Sequence, residues 1–140
     1  METENVLPDI RQTQVFKAPI QKVWAAIATS EGLSSWFMPN DFEPIVGHSF
    51  KIDAGAFGMQ PCVVKEIEAP TRIAFQWGKE WTITIELEDQ GDNQTACTLI
   101  HSGWRVDGMT EFNMPHSMVR DTMSKGWVGL VAKLGSFVEA

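Results

Sequence analysis

Val119, Met123, Trp127, Leu130, Val131, Leu134 and Val138 recur at steps of three and four near the C-terminus. That spacing belongs to one face of an α-helix and predicts a long helix from about Ser117 to Phe137. A helix with such a stripe has to bury it against another layer. The matching surface lies upstream. Trp81, Ile83, Ile85 and Leu87 alternate with Thr82, Thr84, Glu86 and Glu88, a period of two without a slip. Such a segment is a strand with one buried and one wet face. Ile73, Phe75 and Trp77 repeat the pattern. Strands are predicted near His48–Asp53, Pro61–Glu68, Arg72–Trp77, Glu80–Asp89 and Gln94–Ser102. Gly55, Gly58, Ala69-Pro70, Gly78 and Gly91-Asp92-Asn93 supply the turns, and the short separations imply antiparallel hairpins.

Before this block, Gln12–Ala18 reads as a first strand with Gln14, Phe16 and Ala18 facing inward. Pro19 opens a helix at its first position, where a missing N–H is harmless. Ile20, Val23, Trp24 and Ile27 share its apolar face. Ser30 is the expected N-cap of a second short helix, Glu31–Trp36, which Pro39-Asn40-Asp41 ends. Gly126 and Gly129 each cost about 1 kcal/mol inside the last helix. Their presence predicts a second surface pressed close beside Trp127. The fold class is α+β: a curved antiparallel sheet covered by the terminal helix, with two short helices after the first strand. Residues 1–9 are expected to form a flexible arm and 10–140 a single domain, in keeping with a 140-residue chain.

A net charge of −7 opposes binding to phosphate backbones or anionic lipid surfaces, and no Lys/Arg cluster offsets it. Neither nucleic acid nor membrane insertion is therefore expected. The opening METENVLPDI has no basic start and no apolar run, so a signal peptide is not expected. No stretch approaches the roughly 18 apolar residues of a spanning helix. The expected location is the cytoplasm, with Cys62 and Cys97 as reduced thiols.

Catalytic signatures are sparse. His48, His101 and His116 lack metal-ligand spacing, and the sequence has no P-loop, nucleophile elbow or dinucleotide fingerprint. No metal and no cofactor are expected, and no catalytic set is legible. Were the chain an enzyme, His101 with Arg105 or Glu111 would be the candidates. By alternation His101 shares a face with Cys97 and Leu99 and stands at the wall of the interior.

Six Trp, eight Phe and seven Met in this length are more informative. Trp36, Phe37 and Phe42 follow the helix pair, and Phe57 and Met59 flank a glycine-rich segment. Phe75, Trp77, Trp81, His101 and Trp104 lie along the sheet. Met114, Met118, Met123 and Trp127 belong to the last loop and helix. These residues suit either a plain core or the lining of an apolar cavity between helix and sheet. Gln60, His101, Ser102, Arg105 and Asn113 are candidate polar anchors for a ligand there.

Five blocks, in this order and spacing, resemble one family. They are Phe16, Ala18, Pro19, Val23, Trp24, Ile27, Ser30, Glu31, Leu33, Trp36 and Phe37; Gly47 with Phe50; Ala69, Pro70, Ile73, Phe75 and Trp77; Thr95, Leu99, His101, Gly103 and Trp104; and Gly126, Trp127, Val131 and Leu134. The chain is similar to bacterial members of the activator of Hsp90 ATPase homologue 1-like family, within the START-like, birch-pollen-allergen-like (SRPBCC) helix-grip superfamily. The resemblance implies six or seven antiparallel strands gripping the C-terminal helix. It also implies an apolar cavity for a small hydrophobic ligand of lipid, flavonoid or polyketide type. Two alternatives come with it: a chaperone-associated interaction module, and a cyclase- or dehydratase-like enzyme. A monomer or weak dimer is expected.

Overall fold

Alternating side chains leave each strand one apolar face, and pairing such strands collects those faces into one surface. A computed structural model describes residues 8–53, 58–78, 81–104 and 115–139. The elements run β1 (Ile10–Phe16), α1 (Ile20–Ile27), α2 (Ser30–Trp36), β2 (Ser49–Asp53), β3 (Met59–Glu68), β4 (Arg72–Trp77), β5 (Trp81–Gly91), β6 (Gln94–Ser102) and α3 (His116–Glu139). The strands form one antiparallel sheet in the order β1-β6-β5-β4-β3-β2. Strands β2 to β6 follow one another as hairpins, and β1 closes the far edge beside β6. The helices α1 and α2 carry the chain from that edge to the other. Helix α3 packs across the apolar face, touching β1, α1 and α2. This is the expected helix-grip architecture. Among the described residues, no helix is long and apolar enough to cross a membrane.

Register turns the alternation into rows across the concave face. One row is Ile67, Ile73, Ile85, Leu99 and Gln12, and the next is Val64, Phe75, Ile83, His101 and Ile10. A β-bulge between Val64 and Glu66 inserts an extra residue into β3. It lets Val64 and Ile67, three apart, face the same way although strict alternation forbids it. The Asp92-Asn93 turn joins β5 to β6 with φ of 53° and 57°, positive at both central residues. That is the hairpin geometry whose twist matches the strands, and Asp and Asn tolerate it best after Gly.

Several local expectations need correcting. Strand β1 starts at Ile10, earlier than Gln12, because the buried Ile10 pairs with His101. Gln14 has the inward parity of Phe16 but stays exposed at the sheet edge. Pro19 is the N-cap of α1 and not its first helical residue, with ψ of 151°. The N-cap of α2 is Thr29: its hydroxyl accepts from the Gly32 N–H at 2.9 Å. Ser30 lies inside the helix and donates to the Asn40 carbonyl at 2.7 Å. Most of the predicted arm, residues 1–7, lies outside the described residues. Pro8 and Asp9 are tied down by Arg120 of α3, which donates to their carbonyls at 2.7 and 3.5 Å.

The close approach predicted at Gly126 and Gly129 falls elsewhere. Both are exposed, and among the described residues nothing lies within 4 Å of where their Cβ would stand. The tight contact is at Gly135, where a Cβ would sit 2.9 Å from Phe16 Cε1 and 3.2 Å from Gln14 Nε2. Phe16 is fully buried and cannot yield. Gly135→Ala should therefore destabilise the fold by about 1–3 kcal/mol through overpacking. Gly126→Ala or Gly129→Ala should stabilise it by up to about 1 kcal/mol. Urea unfolding of the three variants checks the contrast in sign.

Candidate functional site

The concave row that contains His101 is otherwise apolar, so β6 delivers an imidazole into hydrocarbon and aromatic surroundings. His101 is 0% exposed. The indole N–H of Trp127, on α3, donates to its Nδ1 at 2.8 Å. An accepting Nδ1 carries no hydrogen, so the neutral ring bears its proton on Nε2. Trp104 closes the other side and donates to the His101 carbonyl at 3.0 Å. Ring centroids of Trp81 and Trp104 stand 4.9 and 4.5 Å from that of His101, and Trp77 stacks on it at 5.8 Å and 22°. Burial pushes the His101 pKa down to about 3, and the neighbouring basic groups of His116 and Arg120 act in the same direction. With Nδ1 occupied, the ring has no free lone pair for proton abstraction. Its chemistry is that of a neutral donor through Nε2.

Two donors in this layer are left over. Trp77 Nε1 and His101 Nε2 are buried and have no hydrogen-bond partner among the described residues. Three other indoles donate: like Trp104 and Trp127, Trp36 finds an acceptor, the Ala26 carbonyl at 2.8 Å.

Above this layer, α2 ends at Trp36 and hands on to Phe37, which stacks on Trp127 at 5.5 Å and 16° and meets Trp77 edge-on at 6.1 Å. The turn is held by Asn40. Its amide donates to the carbonyls of Met38 and Ser30 at 2.9 and 3.3 Å, and its oxygen accepts from the Phe42 N–H at 2.9 Å. Here Phe37, Met38, Trp77, Met123, Gly126, Trp127 and Leu130 enclose an apolar cavity of about 40 Å³.

The structure brings Phe37, Trp77, Met123 and Trp127 together around that cavity, with Trp81, His101 and Trp104 in the layer behind. Trp36 locks α2 onto α1. Phe42 and Phe75 extend the aromatic packing toward β2 through Phe50, at 5.2 and 5.4 Å. Met59 and Met118 do not line the interior. Each is 56% exposed, Met59 because its neighbour Gln60 takes the inward parity of β3. Ser102 is also misplaced as an anchor: it points opposite to His101 and donates to the Thr82 carbonyl at 3.4 Å. Gln60 is buried. Phe57, Met114, Arg105, Glu111 and Asn113 lie outside the described residues.

Sequence reading missed Asn40, taken only as a helix breaker, and Leu130, taken only as stripe. It also missed His116, which is buried against Trp81 and Trp104. The step of three from His116 to Val119 was the available signal. Burial raises the thiols of Cys62 and Cys97 to about 12, with Asp41 adding to the effect at Cys62. Both are free and inert. Among the described residues, no group of three or more His, Cys, Asp or Glu is placed to hold a metal ion.

Comparison with known proteins places this geometry. Residues 17–139 match the family described as "Activator of Hsp90 ATPase homolog 1-like protein". The solution structure of Bacillus halodurans protein BH1534 is 39% identical, with 96% of this chain and 99% of that chain covered and a TM-score of 0.85. Mesorhizobium loti protein MLL2253 shares the fold at 23% identity, with 92% and 95% coverage and a TM-score of 0.81. The Aha1 dimer from Colwellia psychrerythraea does so at 20% identity, with 95% and 97% coverage and a TM-score of 0.76. No curated protein matches the chain.

The neutral His101 has a consequence for acid stability. Its folded pKa, about 3, lies below the ordinary imidazole value of 6.5. Between these values the unfolded chain binds a proton that the folded chain refuses, so stability rises with pH there, by about 1.4 kcal/mol per unit. Acidification from pH 7 to pH 5 should remove about 2 kcal/mol through this residue alone. Urea unfolding of wild type and His101→Gln at both pH values checks it. The variant should lose distinctly less on acidification.

Proposed function

The chain belongs to the activator of Hsp90 ATPase homologue 1-like family, and on that premise we propose that it binds a small hydrophobic molecule between the sheet and α3. The ligand class is a flavonoid, polyketide-like or lipid molecule, and the entrance lies beside Phe37 and Trp127. One observation carries the reading: the apolar cavity between α2, β4 and α3, rimmed by the half-buried Met38, Met123 and Leu130. At about 40 Å³ it has room for water and not for a multi-ring ligand. Ligand pockets commonly span about 300–1,000 Å³. Occupancy therefore requires the rim to open. Unbranched thioethers at two rim positions and an exposed Gly126 suit such movement, because Met repacks more readily than branched side chains. The reading is binding and not catalysis, since the imidazole of His101, at the centre of the inner layer, has its basic nitrogen engaged by Trp127. It takes the cytoplasm as the setting.

A second reading is a chaperone-associated interaction module. It is favoured by the family description and by the adjacent Ile45 and Val46, 58% and 61% exposed before β2. That reading uses the exterior and leaves the cavity idle. Either a monomer or a weak dimer is compatible with it.

Titration of intrinsic Trp fluorescence with a flavonoid, an aromatic polyketide and a fatty acid tests the first reading. A saturable change with at least one class is expected. Leu130→Trp, which fills the entrance, should weaken that binding at least about tenfold while the far-ultraviolet circular dichroism is unchanged. Absence of saturation with every class would remove the proposal, and stimulation of a chaperone ATPase by the unliganded protein would favour the second.

A further inference from the structure

We propose that the ligand carries a neutral oxygen acceptor, a carbonyl on an otherwise apolar skeleton, and that Trp77 Nε1–H and His101 Nε2–H donate to it. This rests on the binding reading above and narrows its chemistry.

A buried donor without a partner is costly, and native interiors leave few of them. Here two occur in adjacent rings stacked 5.8 Å apart, on residues 4% and 0% exposed. The surrounding packing does not treat polar nitrogens carelessly. Trp36, Trp104 and Trp127 each find an acceptor at 2.8 to 3.0 Å. Against these, the unmet donors of Trp77 and His101 stand out. Trp77 lines the cavity and His101 lies directly behind it, coupled to a second lining residue through the Trp127 hydrogen bond. The Trp127 bond also fixes the tautomer, so Nε2 is a donor and not an acceptor. Both leftover groups then ask for the same thing, an oxygen lone pair.

The acceptor is neutral because the lining holds no cation. Phe37, Met38, Trp77, Met123, Gly126, Trp127 and Leu130 carry no charge. A carboxylate there would lose its hydration for two neutral donors, which does not repay the transfer of an ion. A pure hydrocarbon would leave both donors unmet. A ketone satisfies them without bringing a charge, and a site with buried donors discriminates against the analogue that lacks the acceptor.

Matched pairs test this, each differing by one carbonyl for one methylene: acetophenone with ethylbenzene, benzophenone with diphenylmethane, and fluorenone with fluorene. Affinities come from Trp fluorescence, and indole and imidazole N–H resonances from ¹H–¹⁵N correlation spectra. At least one ketone should bind about tenfold or more tightly than its partner. It should move the Trp77 Nε1–H resonance, identified by its loss in Trp77→Phe, downfield. In Trp77→Phe the ratio of ketone to methylene affinity should shrink several-fold. Equal affinities within every pair, or an unmoved Trp77 resonance on ketone binding, would overturn the acceptor proposal and leave hydrophobic binding intact. Failure of all six compounds to bind would overturn both. The wild-type spectra decide the matter even where Trp77→Phe does not fold.

Discussion

One buried hydrogen bond organises this molecule: the indole of Trp127 donating to the imidazole of His101. It is the polar link between α3 and the centre of the sheet. Apolar contacts alone are tolerant of sliding, because a stripe of Leu and Val packs almost equally well a fraction of a turn away. A directional bond of 2.8 Å in the interior removes that freedom. It sets the roll of α3, so that Trp127 also meets Phe37 and Val131 and Leu134 fall on the sheet. It also fixes which nitrogen of His101 carries hydrogen. The packing of helix on sheet and the chemistry of the interior are thus decided by the same contact.

Much of this architecture was legible in the sequence because two periodicities are written cleanly. The β5 alternation from Trp81 to Leu87 and the α3 stripe from Val119 to Val138 each encode a buried face directly. Errors arose where a local rule had several solutions. Thr29 and Ser30 are both competent caps, and only the packing of α2 on α1 selects Thr29. Met59 and Met118 are chemically suited to a cavity, yet their parity and helical position point them to solvent. Gly126 and Gly129 carry a propensity penalty whose reason is not tight packing, while Gly135, which is tightly packed, looks no different in sequence. The bulge in β3 leaves no clear sequence mark. For the site, alternation placed His101 on the inner face, but nothing in the sequence reveals that Trp127 engages it. Nor does it reveal that Asn40 holds Met38 at the cavity rim.

The interior is graded. Deep in it, Trp81, His101, Trp104 and His116 pack ring against ring with centroids about 4.5 to 5.8 Å apart. Toward the outside this gives way to Phe37 and then to thioethers and Leu130. Rigid aromatic surface supplies geometry, and unbranched side chains supply compliance. Such a gradient places the adaptable side chains at the outer edge of the cavity, beside the turn after α2 and the exposed face of α3.

The position of β1 bears on how the chain acquires its structure. Neighbouring hairpins from β2 to β6 form between residues close in sequence, but the first strand pairs with the last. Thr13 meets Thr98 across 85 residues of chain. Until that distant pairing is made, one edge of β6 has no partner and α3 lacks part of its support. The final zipping of the N-terminal strand, with Arg120 drawing in Pro8 and Asp9, is a late, entropically expensive event. During translation β1 has to wait until β6 has emerged before the two strands can pair.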